Sequence, residues 1–275
     1  MSWSSGKDSA YALHLLRQRP DIEVVGLLTT VTEEYRCVAM HAVREDLLER
    51  QAQLLGLELI RVKLPSPCSN EIYEARMKEA LAEAVSRNIS FIGFGDLFLE
   101  EIRLYREKML ESTGIAPLFP LWGRPTGGLA KEMIDSGIRA VITCVDPRKM
   151  AKQFAGRDFD QAFLEEIPPE VDPCGENGEF HTFVYDAPGF QNPISLQRGE
   201  VVERDGFIFA DVLRASVGQK TCERCGTVFS CGTSEPGTAC WCMSLPPLDP
   251  LPNDAKDCLC GACLRSELRK GEAGF

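Results

Sequence analysis

Ser2-Trp3-Ser4-Ser5-Gly6-Lys7-Asp8-Ser9 opens the chain and runs directly into a helical stretch, Ala10–Leu16 (AYALHLL). The small residues Ser4, Ser5 and Gly6 let the backbone approach an anion closely. A tight turn feeding a helix N-terminus gathers unpaired N–H groups and the positive end of the helix dipole, which makes a phosphate site. The spacing differs from the G-x-x-x-x-G-K-[ST] phosphate loop. A serine helix cap would explain one of these positions, not six in a row.

Outward from this turn the chain alternates strands and helices. Ile22–Val31 (IEVVGLLTTV), Leu57–Leu64, Ile89–Phe94 and Ile138–Val145 are apolar runs of strand length. Between them, His41–Leu55 is amphipathic, with Gly56 as a C-cap. Helical patterns follow at Ile72–Ala84, about Leu97–Leu110, and Gly128–Ser136. Strands apolar on both faces, separated by helices, predict an α/β fold with a parallel sheet covered on each side. Ligands of such sheets sit beyond the carboxyl ends of the strands. Asp96 and Asp146 stand at two such ends, where a carboxylate binds a cation, positions substrate, or simply caps a turn.

After a short helix at Phe159–Ile167 and the break at Pro168-Pro169, the rhythm changes. Ile194–Val202 and Phe207–Arg214 flank Asp205-Gly206, a hairpin signal. Before the hairpin lies Asp172-Pro173-Cys174-Gly175-Glu176-Asn177-Gly178-Glu179-Phe180-His181-Thr182. Glu176, Glu179 and His181 in a glycine-bearing polar loop suit proton transfer or substrate binding.

Composition sets the outer bounds. The 275 residues leave room for one domain of ordinary to large size and a small one, and 44% apolar with 26% charged residues fits a globular protein. A net charge of −11 argues against general nucleic-acid binding. No apolar run approaches the ~18 residues of a membrane span, and the N-terminus lacks a secretory pattern, so a cytoplasmic location is expected. Of twelve cysteines, Cys37, Cys68, Cys144 and Cys174 are scattered and the others crowd between Cys222 and Cys263. In a reducing compartment that density reads as metal binding.

The crowded set is Cys222-x-x-Cys225, Cys231, Cys240-x-Cys242 and Cys258-x-Cys260-x-x-Cys263. Its thiols suit two zinc sites of four cysteines each, with Cys222, Cys225, Cys260 and Cys263 as one partition and Cys231, Cys240, Cys242 and Cys258 as the other; an iron–sulfur cluster is the rival. The segment has few large apolar anchors, so metal supplies much of its folding energy.

The residues Ser4-Ser5-Gly6-Lys7-Asp8-Ser9 resemble the S-G-G-x-D-S signature of PP-loop (N-type) ATP pyrophosphatases, whose fold is Rossmann-like and related to the adenine nucleotide alpha hydrolases. Ser5 replaces the first glycine, so that position is not expected to need a positive φ. G-E-x-G-E-F-H-T at 175–182, with Met40–Arg44, Gly93–Asp96 and Pro120–Trp122, narrows the resemblance to the diphthine–ammonia ligase family over about residues 1–214. The resemblance implies that ATP adenylates a carboxylate, releasing pyrophosphate, and that ammonia or another amine displaces AMP to give an amide. It implies that Ser4, Ser5, Gly6, Lys7, Asp8 and Ser9 bind the phosphates and Mg2+. It assigns catalytic roles to Asp8, Asp96, Glu176, Glu179 and His181, and places Gly175, Thr182, His41 and Arg44 on the substrate side. The acceptor stays open, a protein among the options, because the cysteine-rich tail resembles a bacterial Cys-Trp-Cys module seen at Cys240-Trp241-Cys242. Sulfur transfer through Cys174 and a nucleotide-binding scaffold recruiting a protein are the alternatives.

The expected division is a PP-loop domain over 1–214, with 159–214 as a substrate-side subregion, and a zinc module over 218–275, joined by a short hinge near Ser216–Lys220. One feature is out of proportion. Only Met1, Ser2 and Trp3 precede the loop, fewer than the usual strand of ~5–6 residues. The expectation is either a chain that starts late or a first strand that is a stub in a weakened sheet, with an N-terminal apolar extension raising stability and ATP affinity.

Overall fold

A computed structural model describes residues 1–34, 37–38, 43–215, 219–230 and 259–272. The chain divides into two compact units, Met1–Arg214 and Ala215–Phe275. In the first, α1 (Lys7–Arg17) is followed by β1 (Gly26–Thr32), β2 (Cys37–Val38), α2 (Glu45–Leu55), β3 (Glu58–Leu64), α3 (Asn70–Ser86), β4 (Phe91–Gly93), α4 (Glu100–Leu110) and β5 (Ala116–Leu118). Then come α5 (Thr126–Asp135), β6 (Arg139–Val145), α6 (Gln161–Glu166), β7 (Phe180–Asp186), β8 (Leu196–Arg204) and β9 (Phe207–Arg214).

The parallel part of the fold is built from β1 with β3 and β4 with β5. Residues 1–3 connect these pairs. Leu28 N–H donates to Met1 O at 2.8 Å, Trp3 N–H to Leu28 O at 2.7 Å, and Ser2 N–H to Gly93 O at 2.8 Å. Three residues thus bond to β1 on one side and β4 on the other, satisfying backbone groups expected to lack partners. Beyond them the helix α1 starts at once, and its buried face of Ala10, Tyr11, Leu13 and Leu16 enters the core.

The strand at 139–145 departs from expectation. It is buried from Ala140 to Val145, as a doubly covered strand should be, yet it pairs antiparallel with both β7 and β9. Burial on two faces reports cover, not direction. Direction is set here by β7, which begins inside what reads as polar loop and runs past it, and by the hairpin β8–β9. That hairpin turns at Asp205 and Gly206, with φ of 53° and 78°, the two positive values its tight turn requires. The strand expected from Ile22 begins only at Gly26, where β3 offers ladder partners from Glu58 onward.

The helices end as their sequences dictate. Gly56 closes α2 in the left-handed conformation at φ 66°, returning its N–H to the last turn. Ser69 and Asp160 cap α3 and α6, accepting from Ile72 N–H and Phe163 N–H. The second unit contributes the hairpin β10 (Gln219–Thr221) and β11 (Val228–Ser230), and α7 (Gly261–Glu272). Among the described residues no helix is long and apolar enough to cross a membrane.

Candidate functional site

A cavity of about 570 Å3 opens where the first turn of α1, the carboxyl ends of β1 and β4, and the segment 174–182 meet. Ser4, Gly6, Lys7, Asp8 and Ser9 form its floor. The loop is pre-shaped by its own hydroxyls: Ser9 Oγ donates to Gly6 O at 2.9 Å and Ser4 Oγ lies 3.2 Å from Ser9 Oγ. Gly95 explains how close the walls come. A Cβ there would sit 2.9 Å from Asp8 C and from Ser9 N, so only glycine lets the end of β4 touch the helix start.

Ser5 corrects an expectation. Its φ is 67°, so the position does demand the left-handed turn that glycine adopts most easily. The turn aims Ser5 O inward, where it accepts from Val184 N–H at 2.9 Å and Gln51 Nε2 at 3.1 Å. Its side chain is fully buried and bonds to Ser4 O, away from the cavity. Gln51 and these bonds anchor the loop from beneath. Gln51 is completely buried, donates also to Val184 O at 2.7 Å, and accepts from Trp3 Nε1 at 2.9 Å. Sequence reasoning passed over it, although a glutamine among Leu47, Leu48, Ala52, Leu54 and Leu55 on the apolar face of α2 is the available signal.

Lys7 is turned inward. Its ammonium bonds Asp8 Oδ2 at 2.9 Å, reaches Cys174 O, and lies 5.2 Å from the Phe180 ring centre. Burial acts to lower its pKa, but the contact with Asp8 outweighs this and raises it, so the ammonium stays charged. Burial pushes the Asp8 carboxyl upward against the pull of Lys7. The Lys7 N–H donates to Thr182 Oγ1 at 3.1 Å. The loop at 4–9 and the segment at 174–182 are therefore tied by both the main chain and the side chain of one residue.

That segment divides by role. Gly175, at φ 69°, turns so tightly that a Cβ would lie 2.9 Å from Phe180 O. The turn presents Glu176, whose Oε1 accepts from Leu97 N–H at 3.0 Å and whose carboxyl lines the cavity. Burial, with Asp8 and Asp96 adding to it, pushes Glu176 up to about 7. His181 also lines the cavity, and burial followed by the Lys7 charge lowers it to about 4, so its imidazole is neutral near pH 7. Glu179, in contrast, does not line the cavity. Its Oε1 accepts from Asp172 N–H at 3.1 Å and Asn177 Nδ2 at 3.2 Å, spanning the turn that carries Gly175 and Glu176.

Asp96 lines the cavity beside Arg106, and burial raises its pKa. Asp146 lies elsewhere and closes a turn, accepting from Arg148 N–H at 3.0 Å and from its guanidinium at 2.8 Å. Arg44 forms a two-bond ion pair with Asp211, at 3.1 and 2.7 Å, outside the cavity lining. His41 lies outside the described residues. The Cys174 thiol is buried, with Sγ 3.5 Å from Thr126 O, and burial pushes it up to about 12. At neutral pH it is a thiol, not the thiolate that sulfur transfer needs.

In the second unit Cys222, Cys225, Cys260 and Cys263 converge, with all sulfurs within 4.8 Å of one another and Cys225 Sγ 3.6 Å from Cys260 Sγ. Zinc–sulfur bonds of ~2.3 Å in a tetrahedron set sulfurs roughly 3.8 Å apart, so the four fit that ion. Gly226, at φ 70°, donates to Cys222 O at 2.9 Å and folds the first C-x-x-C knuckle. Cys231, Cys240, Cys242 and Cys258, and most of the hinge at 216–220, lie outside the described residues.

Comparison with known proteins finds three matching family models. The family described as Diphthamide synthase N-terminal domain matches residues 1–117, Diphthamide synthase C-terminal domain matches 126–216, and Cysteine-rich CWC matches 222–265. The chain is 29% identical to the diphthine–ammonia ligases of Bos taurus and of Homo sapiens, over 76% of this chain and 86% of each relative. It is 26% identical to the diphthine–ammonia ligase of Schizosaccharomyces pombe, over 73% of this chain and 36% of that one.

Proposed function

We infer, from a chain that belongs to the diphthamide synthase family, an ATP-dependent amide-forming ligase that joins ammonia to a carboxylate acceptor. Its relatives are named for diphthine, and diphthine is the first acceptor to test. The observation that carries the reading is the double tie of Lys7, to Thr182 Oγ1 and to Cys174 O, which sets the phosphate loop and the Glu176–His181 segment around one cavity.

In this reading the amide groups of the α1 start hold the β,γ-phosphates of ATP, and Lys7 holds the Asp8 carboxyl in place to bind Mg2+ with the phosphates, its charge offsetting part of the effect of burial. Mg2+ supplies charge neutralisation of the triphosphate. An acceptor carboxylate oxygen attacks the α-phosphorus, the α–β bond breaks, and pyrophosphate leaves. Ammonia then attacks the acyl carbon and AMP departs with the bond electrons. Ammonium must lose a proton before it attacks, and Glu176, held near neutrality, is the group placed to take it. Neutral His181 serves as a hydrogen-bond partner rather than a charge. Glu179 fixes the turn behind them. We assign zinc to the C-terminal unit, two ions through all eight cysteines, in a cytoplasmic enzyme whose thiols stay reduced.

The test is product identity. Wild-type protein with Mg-ATP, ammonium and diphthine should release AMP and pyrophosphate, and Asp8→Asn should remove most of that turnover. ADP and phosphate as products would overturn the reading.

A further inference from the structure

The cavity is lined by carboxylates, yet a carboxylate acceptor has to enter it. Among its described lining residues two carry a permanent positive charge, Lys7 and Arg106. Lys7 is committed to Asp8 and Cys174 O. Arg106, on α4, is not committed in this way. Its Nε is buried without a hydrogen-bond partner, and its nearest carboxylate oxygen, Asp96 Oδ2, lies at 3.7 Å. That distance is beyond a hydrogen bond, and Asp96 Oδ2 is itself buried and unpartnered. The guanidinium is held in place by the Phe94 ring, 5.2 Å to its centre.

Several arginines elsewhere in this unit are closed by short bonds. Arg103 donates to Glu107 at 2.8 Å, Arg148 to Asp146 at 2.8 Å and Arg198 to Asp158 at 2.7 Å. A guanidinium that lines a cavity, with its Nε unsatisfied and only a loose 3.7 Å ion pair to Asp96, gains charge-assisted hydrogen bonds when an oxyanion comes closer than that carboxylate. The phosphate loop already supplies main-chain donors for the pyrophosphate. Of the two cations among the described lining residues, Arg106 is the one left for the carboxylate of the acceptor.

We propose that Arg106 is the acceptor-anchoring residue: its guanidinium takes the carboxylate of the acceptor, with Asp96 beside it facing a hydrogen-bond donor of the same molecule. The assignment rests on the ligase reading for the identity of the acceptor, not for the presence of a carboxylate seat. It describes an acceptor with a carboxylate and an N–H or cationic group a few bonds away. Arg106 binds rather than reacts, so its loss falls on acceptor KM.

Three measurements on the full chain test this. Calorimetry of Mg-ATP binding should give Kd values within about 2-fold for wild type, Arg106→Lys and Arg106→Gln; a loss of about 10-fold in the variants would make Arg106 a phosphate ligand and overturn the proposal. In arginine-labelled wild type, the Nε–H resonance of Arg106, identified by its absence in Arg106→Lys, should shift on titration with acetate and stay put with chloride at equal ionic strength. No acetate-specific shift overturns it, whatever the variants do. With diphthine, KM should rise roughly 100-fold in Arg106→Gln, the size expected for losing a charge-assisted pair, with partial recovery in Arg106→Lys; an unchanged KM overturns it. Wild type that ignores diphthine refutes diphthine as the acceptor instead, and the acetate and Mg-ATP results then decide the seat independently.

Discussion

Gln51→Met is the sharpest perturbation of the phosphate loop that leaves every cavity residue in place. Methionine keeps the length and volume of the side chain, so no void opens. What disappears is the set of three bonds at 2.9 Å to Trp3 Nε1, 3.1 Å to Ser5 O and 2.7 Å to Val184 O. The two carbonyl bonds contribute about 1 kcal/mol each. The indole N–H is the costlier loss, because Trp3 is 2% exposed and its donor is stranded away from water, at about 1–3 kcal/mol. Ser5 O retains the Val184 N–H, so its own penalty is limited. The sum is roughly 3–5 kcal/mol, a large share of a typical stability of about 5–15 kcal/mol. Denaturant melts of wild type, Gln51→Met, Trp3→Phe and the double variant measure it. The double variant should be less damaged than the two singles added together, since it no longer strands the indole. Mg-ATP affinity should fall as well, because the carbonyl of the left-handed Ser5 loses one of its two anchors. A Gln51→Met protein that unfolds within about 0.5 kcal/mol of wild type and binds Mg-ATP equally would refute this account of the loop.

The remaining expectations are briefer. With Glu176 held up to about 7 by burial, ammonia-dependent turnover should rise as pH passes through about 7, and Glu176→Gln should be slow and flat across that range. Folded Glu176 binds its proton more tightly than the unfolded chain, so stability should fall as pH rises from about 4.5 to about 7, and a pH series of melts should lose that slope in Glu176→Gln. Cys174→Ala should keep most of its turnover, measured as AMP release; abolished turnover in a folded variant would revive sulfur transfer. Anaerobically purified protein should carry two zinc ions by elemental analysis, and Cys222→Ser with Cys260→Ser should remove one of them.

Much of the protein is legible one residue at a time. The small-residue turn before an apolar helix, the Asp205-Gly206 hairpin, the Gly56 cap and the C-x-x-C knuckles are local devices, in which neighbours in sequence are neighbours in space. Sequence also ranks 174–182 as a chemical segment, because its residue types are unusual for a mere turn. It does not sort them. Glu176 and Glu179 look equivalent on paper, and only the fold sends one to the cavity and the other to Asp172 N–H behind it.

Three decisions belong to the tertiary structure. The direction of β6 comes from the strands that flank it, which burial patterning cannot encode. The left-handed Ser5 follows from where its carbonyl must point, toward Gln51 and Val184, partners 46 and 179 positions away along the chain. The value of Arg106 depends on its bonds as much as its identity: several other arginines here make short bonds to acidic neighbours, whereas this one is held between a ring and a carboxylate 3.7 Å away, beyond a hydrogen bond. Composition and spacing fix which groups the chain owns, because those follow from local chemistry. Which of them stay partnered is a property of long-range packing, and it is decided only when distant segments close on one another.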